Sequence, residues 1–242
     1  GSAQTGTTLL NLRQGATLDL NAAGALGSIS PGVPNAPRIA VGALVGSGSI
    51  VNTNASPAVL TLVNGSANGT FTGSINQTAG AITIVKNGGG TQSIVGAHNY
   101  TGATVIRGGT LAVTSLANIG QASGLGAGDA TSDATNAASL IFDGGRLLYT
   151  GSGNISYDNR VQNIFQTTQT PSVSINRLFT LTAAGGAIES NGTYGNNVLG
   201  GRTENNAALV FSNTGAIQYA GPIAAASTVT LTLAGNSTAD NR

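Results

Sequence analysis

The sequence contains no cysteine, methionine or tryptophan, only five phenylalanines and five tyrosines, and just 7% charged residues. Without cysteine there is no disulfide scaffold, thiolate metal site, cysteine nucleophile or iron–sulfur cluster, although extracellular life without disulfides stays open. The charged fraction lies far below the roughly 25% of an ordinary soluble domain, which argues against most intracellular enzymes. Nine basic and eight acidic residues give a net charge of +1, with no run of either sign. Such a chain has no electrostatic footprint for nucleic acid or an anionic membrane, and nucleic acid is excluded as a partner. No apolar stretch nears the ~18 residues of a spanning helix, so no membrane insertion of this segment is expected. A basic and apolar leader pattern is missing too, and any export signal or anchor is expected to lie outside these residues.

What the chain has instead is glycine, 37 residues in 242, and a hydrophobic fraction of 40%. With a mean hydropathy of +0.15, this composition is that of a folding chain built from small side chains. Glycine and β-branched residues recur too often for an apolar stripe at 3.6 spacing, and the only expected helical turn is Ser115 to Ile119. Alternation with period two is found almost everywhere. It predicts strands at Ala16 to Leu20, Arg38 to Leu44, Ala58 to Val63, Ala81 to Lys86, Thr110 to Thr114 and Ser139 to Phe142. The pattern continues at Arg146 to Thr150, Arg177 to Thr182, Ala207 to Phe211, Ala216 to Tyr219 and Thr228 to Leu233.

Three segments break the rhythm and read as loops extruded from a regular stack: 30–37, 120–137 and 166–172. No linker divides the chain, so residues 1–242 are expected to form one elongated unit. Weak internal similarity pairs a Gly-rich corner with a short strand near Gly46, Gly69, Gly109 and Thr230. Corners and strands repeated in this way indicate a solenoid with degenerate rungs. A transmembrane β-barrel also alternates, but ten Phe plus Tyr and no Trp are too few for its aromatic girdles.

The stretch from Lys86 to Val113, KNGGGTQSIVGAHNYTGATVIRGGTLAV, resembles the passenger-associated transport repeat, or autotransporter-associated β-strand repeat, of large bacterial surface and secreted proteins. The matching positions are Lys86, Gly88, Gly90 and Thr91, then Gly96 and Ala97, then Tyr100 to Thr104, and finally Gly109 to Leu111. Gln92, Val95 and His98-Asn99 depart from the family pattern. Weaker echoes start at Phe142, Arg177 and Ala208. The resemblance implies an all-β fold, a right-handed single-stranded parallel β-helix. Rungs of about 20 to 25 residues would then give roughly 10 coils, and about 4.8 Å per coil a rod near 50 Å long.

Parallel β-helices also carry polysaccharide lyases and glycosidases, so the carboxylates Asp19, Asp129, Asp133, Asp143, Asp158, Glu189, Glu204 and Asp240 are candidates for acid–base work. Glycoside hydrolysis needs two carboxyls about 5 to 9.5 Å apart, and Glu189 and Glu204, 15 residues apart, are too close for one full rung, though a bend would bring them together. The bland reading, isolated surface charges, is preferred. Asp129, Asp133 and Asn136 share a loop and could offer oxygens to calcium, but their spacing fits neither an EF-hand nor a nonapeptide repeat. His98, the only histidine, lacks a partner for metal or triad chemistry and reads as a corner residue standing where the family has Asn. Tyr100 reads as a shield over a corner, with sugar stacking as the alternative. Triplets such as Asn99-Tyr100-Thr101 reflect composition and say nothing specific about glycans.

No catalytic, metal or cofactor residue is therefore assigned. The expected function is a structural extracellular stalk or fibre segment at the bacterial surface. Its expected partners are like β-helical units, flanking or head to tail, and cell-surface glycans. A carbohydrate-binding adhesin module and a polysaccharide-degrading enzyme are the alternatives.

Overall fold

The structure, a computed structural model, describes residues 9–20, 38–151, 173–191, 209–221 and 228–235. Strands β1 (Leu10–Leu12) and β2 (Thr17–Asp19) lead into coils that each visit successive faces of a prism. One coil holds β3 (Arg38–Val41), β4 (Leu44–Gly46) and β5 (Ser49–Asn52), and the next holds β6 (Ala58–Val63), β7 (Gly69–Phe71) and β8 (Ser74–Gln77). Then follow β9 (Ile82–Asn87) with β10 (Thr91–Ile94), and β11 (Thr104–Ile106) with β12 (Thr110–Val113). Helix α1 (Asp133–Ala138) precedes β13 (Leu140–Phe142) and β14 (Arg146–Tyr149). Two wider coils carry β15 (Val173–Ile175), β16 (Thr180–Thr182) and β17 (Gly186–Ser190), then β18 (Leu209–Phe211), β19 (Gln218–Ala220) and β20 (Leu231–Gly235).

Face one stacks β3-β6-β9-β11-β13-β16-β19, face two stacks β1-β4-β7-β10-β12-β14-β17-β20, and face three stacks β2-β5-β8. A separate pair joins β15 to β18. The strands pair in parallel within every one of these sheets, as in Thr91 with Thr110 and Thr110 with Arg146. One strand per face per coil, all parallel, is a parallel β-helix. Face two carries eight coils among the described residues, fewer than the ten expected, and at about 4.8 Å per step the stack is about 34 Å tall. The cause is that the coils on either side of the middle are wide, the first already so, since Leu10 pairs with Leu44, 34 residues on. Ile84 pairs with Thr104, 20 residues on, whereas Thr104 pairs with Leu140, 36 residues on, and Gly186 with Leu231, 45 residues on.

The inward positions form one apolar column, including Leu60, Ile84, Ile106, Leu111 and Leu147. Phe142, Phe179 and Phe211 continue it as an edge-to-face stack with ring centroids 5.5 Å apart at each step. The run Arg38 to Leu44, read as one strand, is cut by a corner at 42–43 and supplies strands to two faces. Ser115 to Ile119 is not helical, and the one short helix among the described residues lies at 133–138. Its start is set by a capping box, in which the Ser132 hydroxyl accepts from Thr135 N–H while the Thr135 hydroxyl accepts from Ser132 N–H. Of the segments read as loops, 30–37 and 166–172 lie outside the described residues. Segment 120–137 differs from an extruded loop, because 123–128 and 136–137 are buried while 120–122 and 129–135 stand at the surface.

The departure at Gln92 has a structural reason. Its fully buried carboxamide accepts from Leu44 N–H at 3.0 Å and donates to the Leu44 carbonyl at 2.8 Å, two coils away. It thus stands in for a missing stretch of the β4–β7 ladder, where only Gly46 and Phe71 pair. The reach is open because Gly69, opposite Gln92 in register, has no side chain. A Cβ at Gly69 would lie 2.5 Å from Gln92 Oε1 and 2.7 Å from the Leu44 carbonyl oxygen. Gly69→Ala is therefore expected to cost about 2 kcal/mol by breaking buried backbone hydrogen bonds, read as a lower denaturant midpoint. An unchanged midpoint would show that the carboxamide bridge contributes nothing.

Candidate functional site

The repeat-like stretch builds the corner between faces one and two. Lys86 shares the inward parity of Ile82 and Ile84, and its side chain is fully buried. Its ammonium donates to the carbonyls of Asn87 at 3.2 Å, Gly88 at 2.8 Å and Gly108 at 3.0 Å. Gly88 and Gly108 belong to successive coils, so one ammonium ties two corners together. The turn needs Gly88 at φ +85°, where a Cβ would press on the Asn64 carbonyl. Burial lowers the Lys86 pKa to about 8. The folded corner thus favours the neutral amine, and the cost of the charge is fully present below pH 8 and relieved as pH rises towards 10.5.

A second corner closes face three, whose sheet stops at β8. There the edge N–H groups are met by side chains in place of a strand. Ile75 N–H donates to His98 Nδ1 at 3.2 Å, and Gln77 N–H donates to Asn99 Oδ1 at 2.8 Å. Gln77 Oε1 in turn accepts from the Thr101 N–H and hydroxyl, both at 2.9 Å. Tyr100 is fully buried, which rules out both the shield over a corner and the sugar-stacking surface. Its hydroxyl donates to Thr104 Oγ1 at 2.9 Å, and Thr104 passes a hydrogen bond on to the Leu125 carbonyl at 3.1 Å. Burial pushes the Tyr100 phenol up to about 12.

Residues 115–128 form a strap across this corner. His98 and Ser123 exchange backbone hydrogen bonds at 3.0 and 3.1 Å, and Ala127 N–H reaches the Tyr100 carbonyl at 2.8 Å. The strap is gripped from the far side by Arg177, 1% exposed. Its guanidinium donates to the carbonyls of Ala117 at 2.8 Å and Gly126 at 2.6 Å and to Ser123 Oγ at 3.2 Å. No carboxylate offsets that charge among the described partners, and burial pulls the Arg177 pKa down to about 10. Asn118 and Asn176 add a reciprocal pair: Asn176 N–H to Asn118 Oδ1 and Ile119 N–H to Asn176 Oδ1, both at 2.9 Å.

The candidate chemistry falls elsewhere. Asn136 is buried and spends its carboxamide on the Asn176 carbonyl at 3.0 Å and Leu178 N–H at 2.9 Å, so it is not available to calcium. Asp129 accepts from Thr131 N–H at 2.8 Å, and its hydrogen bonds with Thr131 hold the carboxyl below its usual range. Among the described residues no group of three or more His, Asp or Glu side chains is placed to hold a metal ion. Asp143 pairs with Arg107 at 3.2 Å and accepts from the Thr182 hydroxyl at 2.6 Å. Glu189 pairs with Arg146 at 2.6 Å and accepts from Asn191. Asp19 accepts from the Thr53 hydroxyl at 2.5 Å. Asp158, Glu204 and Asp240 lie outside the described residues, and with Glu204 the pairing to Glu189. An open groove of about 500 Å³ runs along the corner of faces one and two, floored by Gly109, Gly144 and Gly145 and edged by Thr110, Arg146 and Thr232.

The family model described as passenger-associated-transport-repeat matches residues 84–113, the stretch that builds the Lys86 and Tyr100 corners. The chain is also 35% identical over 238 residues, 93% of its length, to the adhesin BmaC autotransporter of Brucella suis biovar 1 (strain 1330). It spans only 6% of the length of that relative. No solved structure matches it. Similarity to an autotransporter passenger places the chain outside the cell or on its surface. Parallel coils, the repeat and the extended similarity together make this chain a β-helical autotransporter passenger segment bearing a passenger-associated transport repeat.

Proposed function

We propose that the chain is a stalk segment of a surface adhesin, a rigid spacer whose coils stack on like coils of the same polypeptide or head to tail on a second copy. The supporting observation is at β20. Leu233 stands in register with the buried Ile188 yet is 65% exposed, an inward position left bare. Among the described residues β20 is the last strand of its sheet, and a strand edge of that kind pairs with further strands. Low net charge removes long-range repulsion between such rods. Sedimentation across a concentration series, with negative-stain microscopy of the same samples, is expected to show rods that lengthen as concentration rises. A monomer at millimolar concentration, with residues 231–235 protected from exchange, would contradict head-to-tail stacking.

A glycan-binding role is the second reading, favoured by the similarity to an autotransporter adhesin and by the open groove. A glycan array separates it from a pure spacer. The enzymatic reading has less support, because Asp143 and Glu189 are each engaged by an arginine. Depolymerisation of a polysaccharide that is lost in Asp143→Asn or Glu189→Gln would overturn both non-enzymatic readings.

A further inference from the structure

The closure of face three depends on one titratable side chain. His98 is 1% exposed, and its Nδ1 accepts the Ile75 N–H, so the neutral ring must carry its proton on Nε2. That Nε2 has no hydrogen-bond partner among the described residues. The backbone of the same residue is what pairs with Ser123 of the strap. A second proton would set an Nδ1–H donor against the Ile75 N–H donor and leave a cation buried without a counter-charge. The ionisable groups nearest along its contacts are Arg177, reached through Ser123, and Tyr100, two residues on. Arg177 is itself a cation, and Tyr100 stays neutral because burial raises its phenol, so neither supplies negative charge. No charged group reaches the ring from β5 or β8, whose neighbouring residues are Ile50 and Ile75.

We propose that His98 is an acid-operated latch: protonation of its ring frees the strap 115–128 from the corner and uncovers the β8 edge, while the coils on either side stay folded. The uncovered edge is a row of backbone groups at Ile75 and Gln77, which are met in the closed form only by the side chains of His98 and Asn99. An edge of this type recruits another strand, so acid would turn a sealed face of the rod into a docking edge. The sign follows from the histidine. Burial lowers its pKa from 6.5 to about 4, so the closed form binds fewer protons than the open one. Closure is complete above pH 6.5 and is lost progressively as pH falls towards 4.

Hydrogen–deuterium exchange at pH 7 and pH 4.5, corrected for intrinsic exchange rates, tests the latch in the wild-type chain and in His98→Asn. In the wild type, protection of 74–77 and 115–128 is expected to fall on the order of 100-fold at pH 4.5, while 58–63 and 82–87 keep theirs. The asparagine carboxamide accepts a backbone N–H at either pH, so the variant is expected to lose this pH dependence. Acid loss spread evenly over all coils, or an unchanged acid response in the variant, would overturn the proposal. If His98→Asn fails to fold, the wild type still decides, because the chain has a single histidine and its ring resonance is unambiguous. A titration midpoint below pH 5 supports the latch, and one at or above 6.5 overturns it.

Discussion

Leu111→Asp is expected to prevent folding of the chain. Leu111 is fully buried, with Gln92 in register on one side and Leu147 on the other. The substitution removes a buried side chain worth roughly 2–3 kcal/mol and places a carboxylate within the apolar column, which adds several more. The sum, about 5 kcal/mol or above, is comparable to the whole stability of an ordinary domain. Circular dichroism and thermal melts are expected to show loss of the strand signal or of the cooperative transition. Leu111→Ala serves as the milder probe and is expected to cost about 2–5 kcal/mol. Asp129→Ala, whose carboxylate sits in the surface part of 120–137, is expected to leave the Tm nearly unmoved. Equal shifts for Leu111→Asp and Asp129→Ala would mean that inside and outside are exchanged.

The second large effect is expected at Arg177. Its guanidinium meets acceptors on Ala117, Gln121, Ser123, Gly126 and Ala127, all on the strap. Arg177→Met keeps the buried stem and deletes every one of those donors, so the Gly126 carbonyl keeps the Ser123 hydroxyl and the Ala127 carbonyl keeps the Gly120 N–H, while the bond to the Ala117 carbonyl is lost. Hydrogen bonds to a charged group are worth about 1.5–3 kcal/mol each, offset in part by the relief of burying a charge, so a net loss of about 3 kcal/mol is expected. Arg177→Lys is expected to recover little, because a single ammonium cannot reproduce the planar fork that spans these carbonyls. Exchange measurements are expected to locate the damage in 117–127 ahead of the coils at 58–63. A variant as stable as wild type would show that the strap is held by apolar packing alone.

Period-two alternation carried most of the fold, because in a narrow β-helix each inward position is apolar and each corner needs glycine or a small polar residue. It even marked the buried polar groups. Lys86 shares its parity with Ile82 and Ile84, Gln92 with Ile94, and Arg177 with Phe179, and each of the three lies inside. The expectation that charge belongs outside masked that signal. Tyr100 was misplaced for a related reason, since nothing local shows that the strap at 115–128 returns to cover it. The strap itself read as a helical turn at Ser115 to Ile119 and as a loop from 120 on, because its hydrogen bonds run to residues far along the chain, such as Arg177 and Asn176. Coil widths were illegible beyond 113, where the spacing between paired strands grows from 20 to 36 residues or more. No carboxylate pair could be judged from sequence alone, since Arg107 and Arg146 find Asp143 and Glu189 only through the register of neighbouring coils.

The central claim is the parallel coil stack, and distances between paired spin labels test it most directly, because the chain has no cysteine to interfere with labelling. Thr70 stands in one outward column with Ser93, Ala112, Leu148, Glu189 and Ala234. Labels at Thr70 and Leu148 span three coil steps, and labels at Thr70 and Ala234 span five. At about 4.8 Å per step the expected separations are about 14 Å and about 24 Å. Narrow distributions that lengthen in proportion to the number of coils would bear out the stack. Broad distributions, or a Thr70–Ala234 distance no longer than the Thr70–Leu148 distance, would contradict it.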